Sequence, residues 1–123
     1  MRFFAVNKKV LIVDDENEIV VFMSRFLKRL NIDSVMCGSG EEAVEIYKQQ
    51  SFDCVLLDIH LGGISGVEVL KILKEYDPNV KVIIITGSIS GDNKDIVMQL
   101  GALDYLQKPI ELTDLKEKVL NYI

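Results

Sequence analysis

Short apolar runs alternate along the chain with longer segments in which apolar residues recur every three or four positions. Unbroken apolar runs bounded by turn residues are typical of strands buried on both faces, whereas the three- and four-residue spacing indicates helices with one buried face. The predicted strands are residues 9–13, 32–36, 52–58, 80–85 and 103–106. The predicted helices are residues 19–30, 41–49, 67–76, 91–100 and 112–120.

Strict alternation of strands and helices with short connections predicts an α/β fold, with a five-stranded parallel sheet covered by helices on both faces. Local signals support several boundaries of these elements. Asp15 or one of its neighbours is expected to cap the first helix, and Asp77-Pro78 ends the third. Gly101 is a natural left-handed residue after the fourth helix.

Composition narrows the class of protein. The 123 residues suit a single domain, and 49% hydrophobic with 27% charged residues is ordinary for a soluble globular protein. A net charge of −5 argues against direct nucleic-acid binding, which needs a basic face. No apolar stretch approaches the roughly 18 residues of a membrane span and no signal-peptide cleavage site follows the start, so we expect a cytoplasmic protein without membrane insertion. Cys37 and Cys54 are expected to be reduced thiols.

Polar side chains follow the predicted strands where these strands leave the core. They are Asp14, Asp15, Asp58, Thr86 and Lys108. Because the carboxyl ends of parallel strands lie on one edge of the sheet, these side chains are expected to converge where open α/β sheets bind ligands. Taken singly, each has a plainer explanation: Asp14 or Asp15 as a helix cap, Asp58 as a turn residue.

The set as a whole resembles a response-regulator receiver domain of two-component signal transduction, and the segment GALDYLQKP is close to the sequence that this family usually has there. The resemblance covers essentially the whole chain. It implies the flavodoxin-like, doubly wound strand order 2-1-3-4-5 and a single receiver domain over residues 1–123, with no output domain in this chain.

The resemblance also implies a role for each site residue. Asp58 would be the phosphoacceptor, with Lys108 and Thr86 stabilising the phosphoryl group and Thr86 and Tyr105 acting as the switch pair. Mg²⁺, or Mn²⁺ in its place, would be held by Asp14, Asp15, Asp58 and the backbone carbonyl of His60. His60 and Ser88, each two residues beyond a site residue, would tune the lifetime of the phosphoryl group.

The implied partner is a histidine kinase or a histidine phosphotransfer protein, which supplies the phosphoryl group. The domain would be a signalling receiver rather than a turnover enzyme, and its output would reach a downstream protein through the fourth helix, fifth strand and fifth helix. A phosphorylation-dependent homodimer is a further option that the family leaves open.

Three other functions compete with this interpretation. A phosphatase with an aspartyl-phosphate intermediate would use Asp14 and Glu16, which have the required spacing, but the chain has no room for a cap domain. A flavin carrier needs a hydroxyl- and glycine-rich loop where this chain has acids. A receiver-shaped docking module without phosphorylation is disfavoured by the complete set of site residues.

The sequence departs from the family at Leu61-Gly62, in place of Met-Pro, which predicts a looser turn.

Overall fold

The structure, a computed structural model, describes residues 7–87 and 91–123, and of residues 91–93 the backbone only. Strands and helices alternate along the chain. The strands are β1 (Lys9–Val13), β2 (Asp33–Cys37), β3 (Cys54–Asp58), β4 (Val82–Thr86) and β5 (Asp104–Gln107). The helices are α1 (Asn17–Arg29), α2 (Gly40–Gln49), α3 (Gly66–Tyr76), α4 (Gly91–Gln99) and α5 (Leu112–Tyr122). Every described strand pair is parallel and the order is β2-β1-β3-β4-β5, which confirms the predicted fold class.

The central strands are apolar on both sides because helices cover both faces of the sheet. All residues of β3 and β4 are buried. Leu11 and Leu57 point into a core that α2 and α3 complete, whereas Ile12 and Leu56 point into a second core that α1 and α5 complete. Side chains alternate across a strand, so neighbouring residues of one strand serve opposite cores. This two-sided burial fixes the register that aligns the carboxyl ends of β1, β3 and β4.

Differences from the predicted elements are confined to their ends. The fourth strand was predicted from Val80 but begins at Val82. Val80 is buried, yet its N–H donates to the Asp77 carbonyl, 3.0 Å away, and closes a turn after α3. Apolar character therefore marks the residues that enter the core, whereas hydrogen bonding decides which of them belong to the strand.

The predicted acidic side-chain cap of α1 is wrong. The helix begins at Asn17, and its N-cap residue Glu16 makes no side-chain capping hydrogen bond. Its carboxylate instead contacts Lys108, and Asp14 Oδ1 accepts a hydrogen bond from the Glu16 N–H at 2.9 Å. The acids after β1 are thus directed to Lys108 and to the loop rather than to the first turn of the helix.

Cys37 and Cys54 are free and buried, as predicted. Burial raises the pKa of the Cys54 thiol to about 12, so it stays protonated at neutral pH. No helix formed by residues 7–87 or 91–123 has the length and apolar character to cross a membrane.

Gly66 lets α3 begin directly against the end of β3. A Cβ atom at this position would lie 2.3 Å from the Asp58 carbonyl oxygen and 2.6 Å from the Ile59 Cα. The Gly66 N–H also donates to the Ile59 carbonyl at 3.0 Å. Because both obstructing atoms belong to the backbone, they have no rotamer by which to move away. A side chain here would push the helix or the Asp58 peptide out of place.

We expect Gly66→Ala to lower the free energy of unfolding by about 1–3 kcal/mol, even though alanine favours helices over glycine. The matched control is Gly62→Ala, since nothing lies within 4 Å of a Cβ built at Gly62. Urea unfolding of both variants and the wild type measures the difference. Equal stability of the two variants would show that α3 has room to shift.

Candidate functional site

The site lies at the carboxyl ends of the central strands. Asp14 follows β1, Asp58 ends β3 and Thr86 ends β4, and these three are the buried polar or charged residues in the described part of the chain. Burying a charge is costly unless a partner compensates it. The cluster therefore needs a cation, and the fold supplies one from the loop after β5.

Lys108 is that cation. Its Nζ lies 3.0 Å from Asp14 Oδ2, 2.8 Å from Glu16 Oε1 and 3.2 Å from Asp58 Oδ2. Its backbone N–H donates to the Thr86 carbonyl at 2.7 Å, which holds the loop against the end of β4. The peptide bond to Pro109 is cis. Two carboxylates from the loop after β1 and one from the end of β3 thus meet at one ammonium group.

The second oxygen of each buried carboxylate accepts a backbone hydrogen bond. Asp14 Oδ1 accepts from the Glu16 N–H at 2.9 Å, and Asp58 Oδ1 accepts from the His60 N–H at 3.0 Å. The two acids are therefore oriented in the same way, with one oxygen held by the loop that follows its strand and the other facing Lys108.

Burial and charge act in opposite directions on the groups of this site. Burial raises the pKa of Asp14, and the neighbouring Asp58 charge adds to the rise. Burial alone would lower the pKa of Lys108, but the carboxylates of Glu16, Asp14 and Asp58 outweigh it and raise that pKa above its usual value. Lys108 therefore stays protonated, while the carboxylates around it outnumber its single positive charge.

The carboxylates that Lys108 does not neutralise could bind a divalent cation. Carboxylate oxygens of Asp14, Asp15, Glu16 and Asp58 lie within 4.8 Å of one another. Asp14 Oδ2 is buried and, although Lys108 Nζ is close, makes no well-directed hydrogen bond. Donor sets made only of oxygen suit magnesium, calcium or manganese and not zinc. The residues present are thus suitable to hold Mg²⁺.

Cavity size does not identify this site. A cavity of about 330 Å³ lies beside Asp14 and Asp15, whereas one of about 620 Å³ lies between Tyr47 and Tyr76 and one of about 460 Å³ lies along α1. The larger two contain neither the buried acids nor Lys108. The concentration of buried charge is therefore the better indicator of chemistry.

Of the other predicted site residues, His60 and Tyr105 are not side-chain partners of Lys108 in the part of the chain that the structure describes. The His60 side chain is exposed, and the His60 backbone N–H donates to Asp58 Oδ1. Tyr105 is half-buried, and the ammonium groups of Lys94 and Lys118 each lie 4.8 Å from the centre of its ring. Ser88 lies outside the described residues.

Glu16 is the residue of this cluster that was missed from the predicted site. It makes the shortest of the three contacts with Lys108. The available signal was its place as the third acid of the run that follows β1. Sequence reasoning used that acid only as a helix cap or for its spacing from Asp14.

The turn after Asp58 contains the Leu61-Gly62 departure. Gly63 adopts a φ of 77°, and the Ile64 N–H donates to Glu41 Oε1 of α2 at 2.9 Å. These contacts tie the far side of the turn to α2. The looseness expected from the missing proline stays a prediction.

The sequence model described as "Response regulator receiver domain" matches residues 10–120. Sporulation initiation phosphotransferase F of Bacillus subtilis is 31% identical over 118 residues, covering 96% of this chain and 95% of that protein. The alkaline phosphatase synthesis transcriptional regulatory protein PhoP of the same organism is 32% identical over 93% of this chain. This chain spans only 48% of that regulator's length.

Solved structures agree with the fold. A CheY-like response regulator receiver domain protein from Methanospirillum hungatei has a TM-score of 0.90 and 28% identity, covering 94% of this chain and 93% of that one. The receiver domain of a sensor histidine kinase from Pseudomonas aeruginosa has a TM-score of 0.87 over 95% of this chain and 98% of its own. It has a magnesium ion coordinated in its active-site cleft, but at 21% identity the likeness to this chain extends to the fold alone.

We expect Lys108→Met to lower the free energy of unfolding by about 3 kcal/mol in the absence of divalent cations, because Asp14 and Asp58 would be left buried without a cation. Adding Asp14→Asn to this variant should restore part of the loss, since one buried charge disappears. Thermal melts in a metal-chelating buffer measure both effects. An unchanged melting temperature in Lys108→Met would mean that the ion pairs contribute nothing to stability.

Proposed function

The chain belongs to the response regulator receiver domain family, whose members are signalling modules of two-component systems, and from this premise we propose that it accepts a phosphoryl group on Asp58. The observation that carries the proposal is the buried Asp58 carboxylate at the end of β3, with Lys108 Nζ 3.2 Å from Oδ2. The phosphoryl group would come from a phosphohistidine of a histidine kinase or a histidine phosphotransfer protein.

In the proposed reaction an Asp58 carboxylate oxygen attacks phosphorus. A phosphorus–oxygen bond forms, the bond from phosphorus to the donor's imidazole nitrogen breaks, and its electron pair stays on that nitrogen. Lys108 stabilises the charge on the phosphoryl oxygens, and the Thr86 hydroxyl donates to one of them. The His60 N–H, which already contacts Asp58 Oδ1, keeps the carboxylate oriented.

The same reaction brings a negatively charged phosphoryl group to the negatively charged Asp58 carboxylate. A divalent cation held by the acid cluster would reduce the repulsion between them. Asp14, Asp15, Asp58 and the backbone carbonyl of His60 would hold Mg²⁺, with Mn²⁺ as a substitute. The bound ion supplies charge neutralisation for the phosphoryl oxygens. Support comes from the carboxylate oxygens gathered within 4.8 Å and from the magnesium in the cleft of the Pseudomonas aeruginosa receiver.

The proposed output is a change of the surface formed by α4, β5 and α5. Thr86 would be drawn towards the phosphoryl group, and Tyr105 on β5 would then turn inward. A downstream protein, or a second copy of the domain, would bind the altered surface. His60 and Ser88 would set how long the phosphoryl group survives. In this account residues 1–123 act as one receiver domain.

We expect incubation with acetyl phosphate and Mg²⁺ to add the mass of one phosphoryl group to the wild type and none to Asp58→Asn. Intact-mass spectrometry measures the modified fraction. The control is Asp53→Asn, which removes an acid at the opposite end of β3 and keeps an acceptor for the Lys9 N–H. Asp53→Asn should be modified like the wild type. Modification of Asp58→Asn to the wild-type extent would exclude Asp58 as the acceptor.

We expect magnesium to stabilise the folded domain. At ten times its dissociation constant, mass action gives about 1.4 kcal/mol, because the folded state alone presents the assembled ligands. Asp15→Asn should weaken this response at little cost to the metal-free fold, since Asp15 is exposed. Thermal melts across a MgCl₂ titration, with NaCl at matched ionic strength as the control, measure the effect. Identical responses to the two salts would contradict a specific site.

A further inference from the structure

The Lys108 ammonium group is surrounded by three carboxylates and donates hydrogen bonds to two of them, Glu16 Oε1 and Asp58 Oδ2. A lysine ammonium carries three N–H donors and no acceptor. Its three close partners are Asp14 Oδ2, Glu16 Oε1 and Asp58 Oδ2. When a phosphoryl donor approaches, Asp58 still carries its charge, so all three contacts are still in place. A phosphoryl oxygen that draws Lys108 towards itself therefore competes with the hydrogen bonds to Glu16 and Asp58.

The three contacts differ in what it costs to break them. The side chains of Asp14 and Asp58 are 0% and 3% exposed, so either carboxylate would be left as a buried charge without its cation. The Glu16 side chain is 57% exposed, and water can replace Lys108 there. The contact with Glu16 is also the shortest, at 2.8 Å.

We propose that Glu16 is a positioning residue that holds Lys108 in the unphosphorylated domain and must release it to the phosphoryl group, and that it thereby slows phosphorylation of Asp58. This inference rests on the proposed function. Glu16 acts through Lys108 and need not touch the phosphoryl group. Its carboxylate sets how readily the resting domain accepts phosphate.

Three variants test the proposal. Glu16→Gln removes the charge, whereas Glu16→Asp keeps the charge and draws the carboxylate back by one methylene group. Glu18→Gln removes an equal charge from the first turn of α1, at a residue that is not a partner of Lys108. The rate of modification by acetyl phosphate with Mg²⁺ is followed by intact mass, and thermal melts verify that each variant is folded.

We expect Glu16→Gln to be modified about two- to fivefold faster than the wild type, the range that corresponds to loss of one exposed ion pair. Glu16→Asp should also be faster, because the contact is lost although the charge remains, and Glu18→Gln should match the wild type. Wild-type or slower rates in Glu16→Gln would overturn the proposal. A fast Glu16→Gln with a wild-type rate in Glu16→Asp would also overturn it, since general charge repulsion would then explain the gain.

The wild type separates this inference from the proposed function. If the wild type gains no phosphoryl group, the proposed phosphorylation of Asp58 is refuted. If the wild type is modified and all three variants react at its rate, Asp58 remains the acceptor and only the role of Glu16 is refuted.

Discussion

The contact on which this structure depends is the pairing of one lysine with acids that would otherwise repel each other. Asp14 and Asp58 are buried at the ends of adjacent strands, and neither is stable there as an isolated charge. Lys108 reaches both from beyond β5, and its backbone N–H to the Thr86 carbonyl fixes the point from which it reaches. The carboxyl edge of the sheet is therefore assembled only when β1, β3, β4 and the loop after β5 are all in place.

The sequence was sufficient to predict the architecture because the central strands are buried on both faces. Residues 54–58 and 82–86 are apolar almost throughout, and no amphipathic helix has that pattern. The outer strand β2 was harder to delimit. Its residues 33–36 are half-buried or exposed, so hydrophobicity does not mark its ends, and the predicted range was one residue early. Where burial is partial, the pairing of β2 with β1 decides the boundary, and that information is not local.

The buried acids of the site were predictable for the same reason, whereas the exposed Glu16 was not. Asp14 directly follows the buried strand β1 and Asp58 ends the buried strand β3, so their place in the sequence fixes their place at the carboxyl edge of the sheet. Glu16 had two uses open to it, capping α1 or pairing with a cation. Glu16 pairs with a cation because Lys108, 92 residues further along the chain, lies beside its carboxylate. Gly66 is a similar case, because the Asp58 carbonyl that excludes its Cβ becomes a neighbour only after α3 has packed. Tertiary contacts decided both positions, across 92 residues for Glu16 and across only eight for Gly66.

The same connections offer a physical route for the proposed switch. Lys108 follows β5 directly, and Tyr105 lies on that strand, so a force on the ammonium group acts on the segment that carries the aromatic ring. The opposite side of the segment is held by α5, where Lys118 donates to the Tyr105 carbonyl and pairs with Asp104 at 3.4 Å. The strand is thus attached to β4 by its pairing, to α5 by Lys118, and to the acid cluster through Lys108. A phosphoryl group that takes Lys108 from its carboxylates would change the attachment to the acid cluster and leave those to β4 and α5 intact. That asymmetry favours a displacement within β5 over a general loosening of the domain.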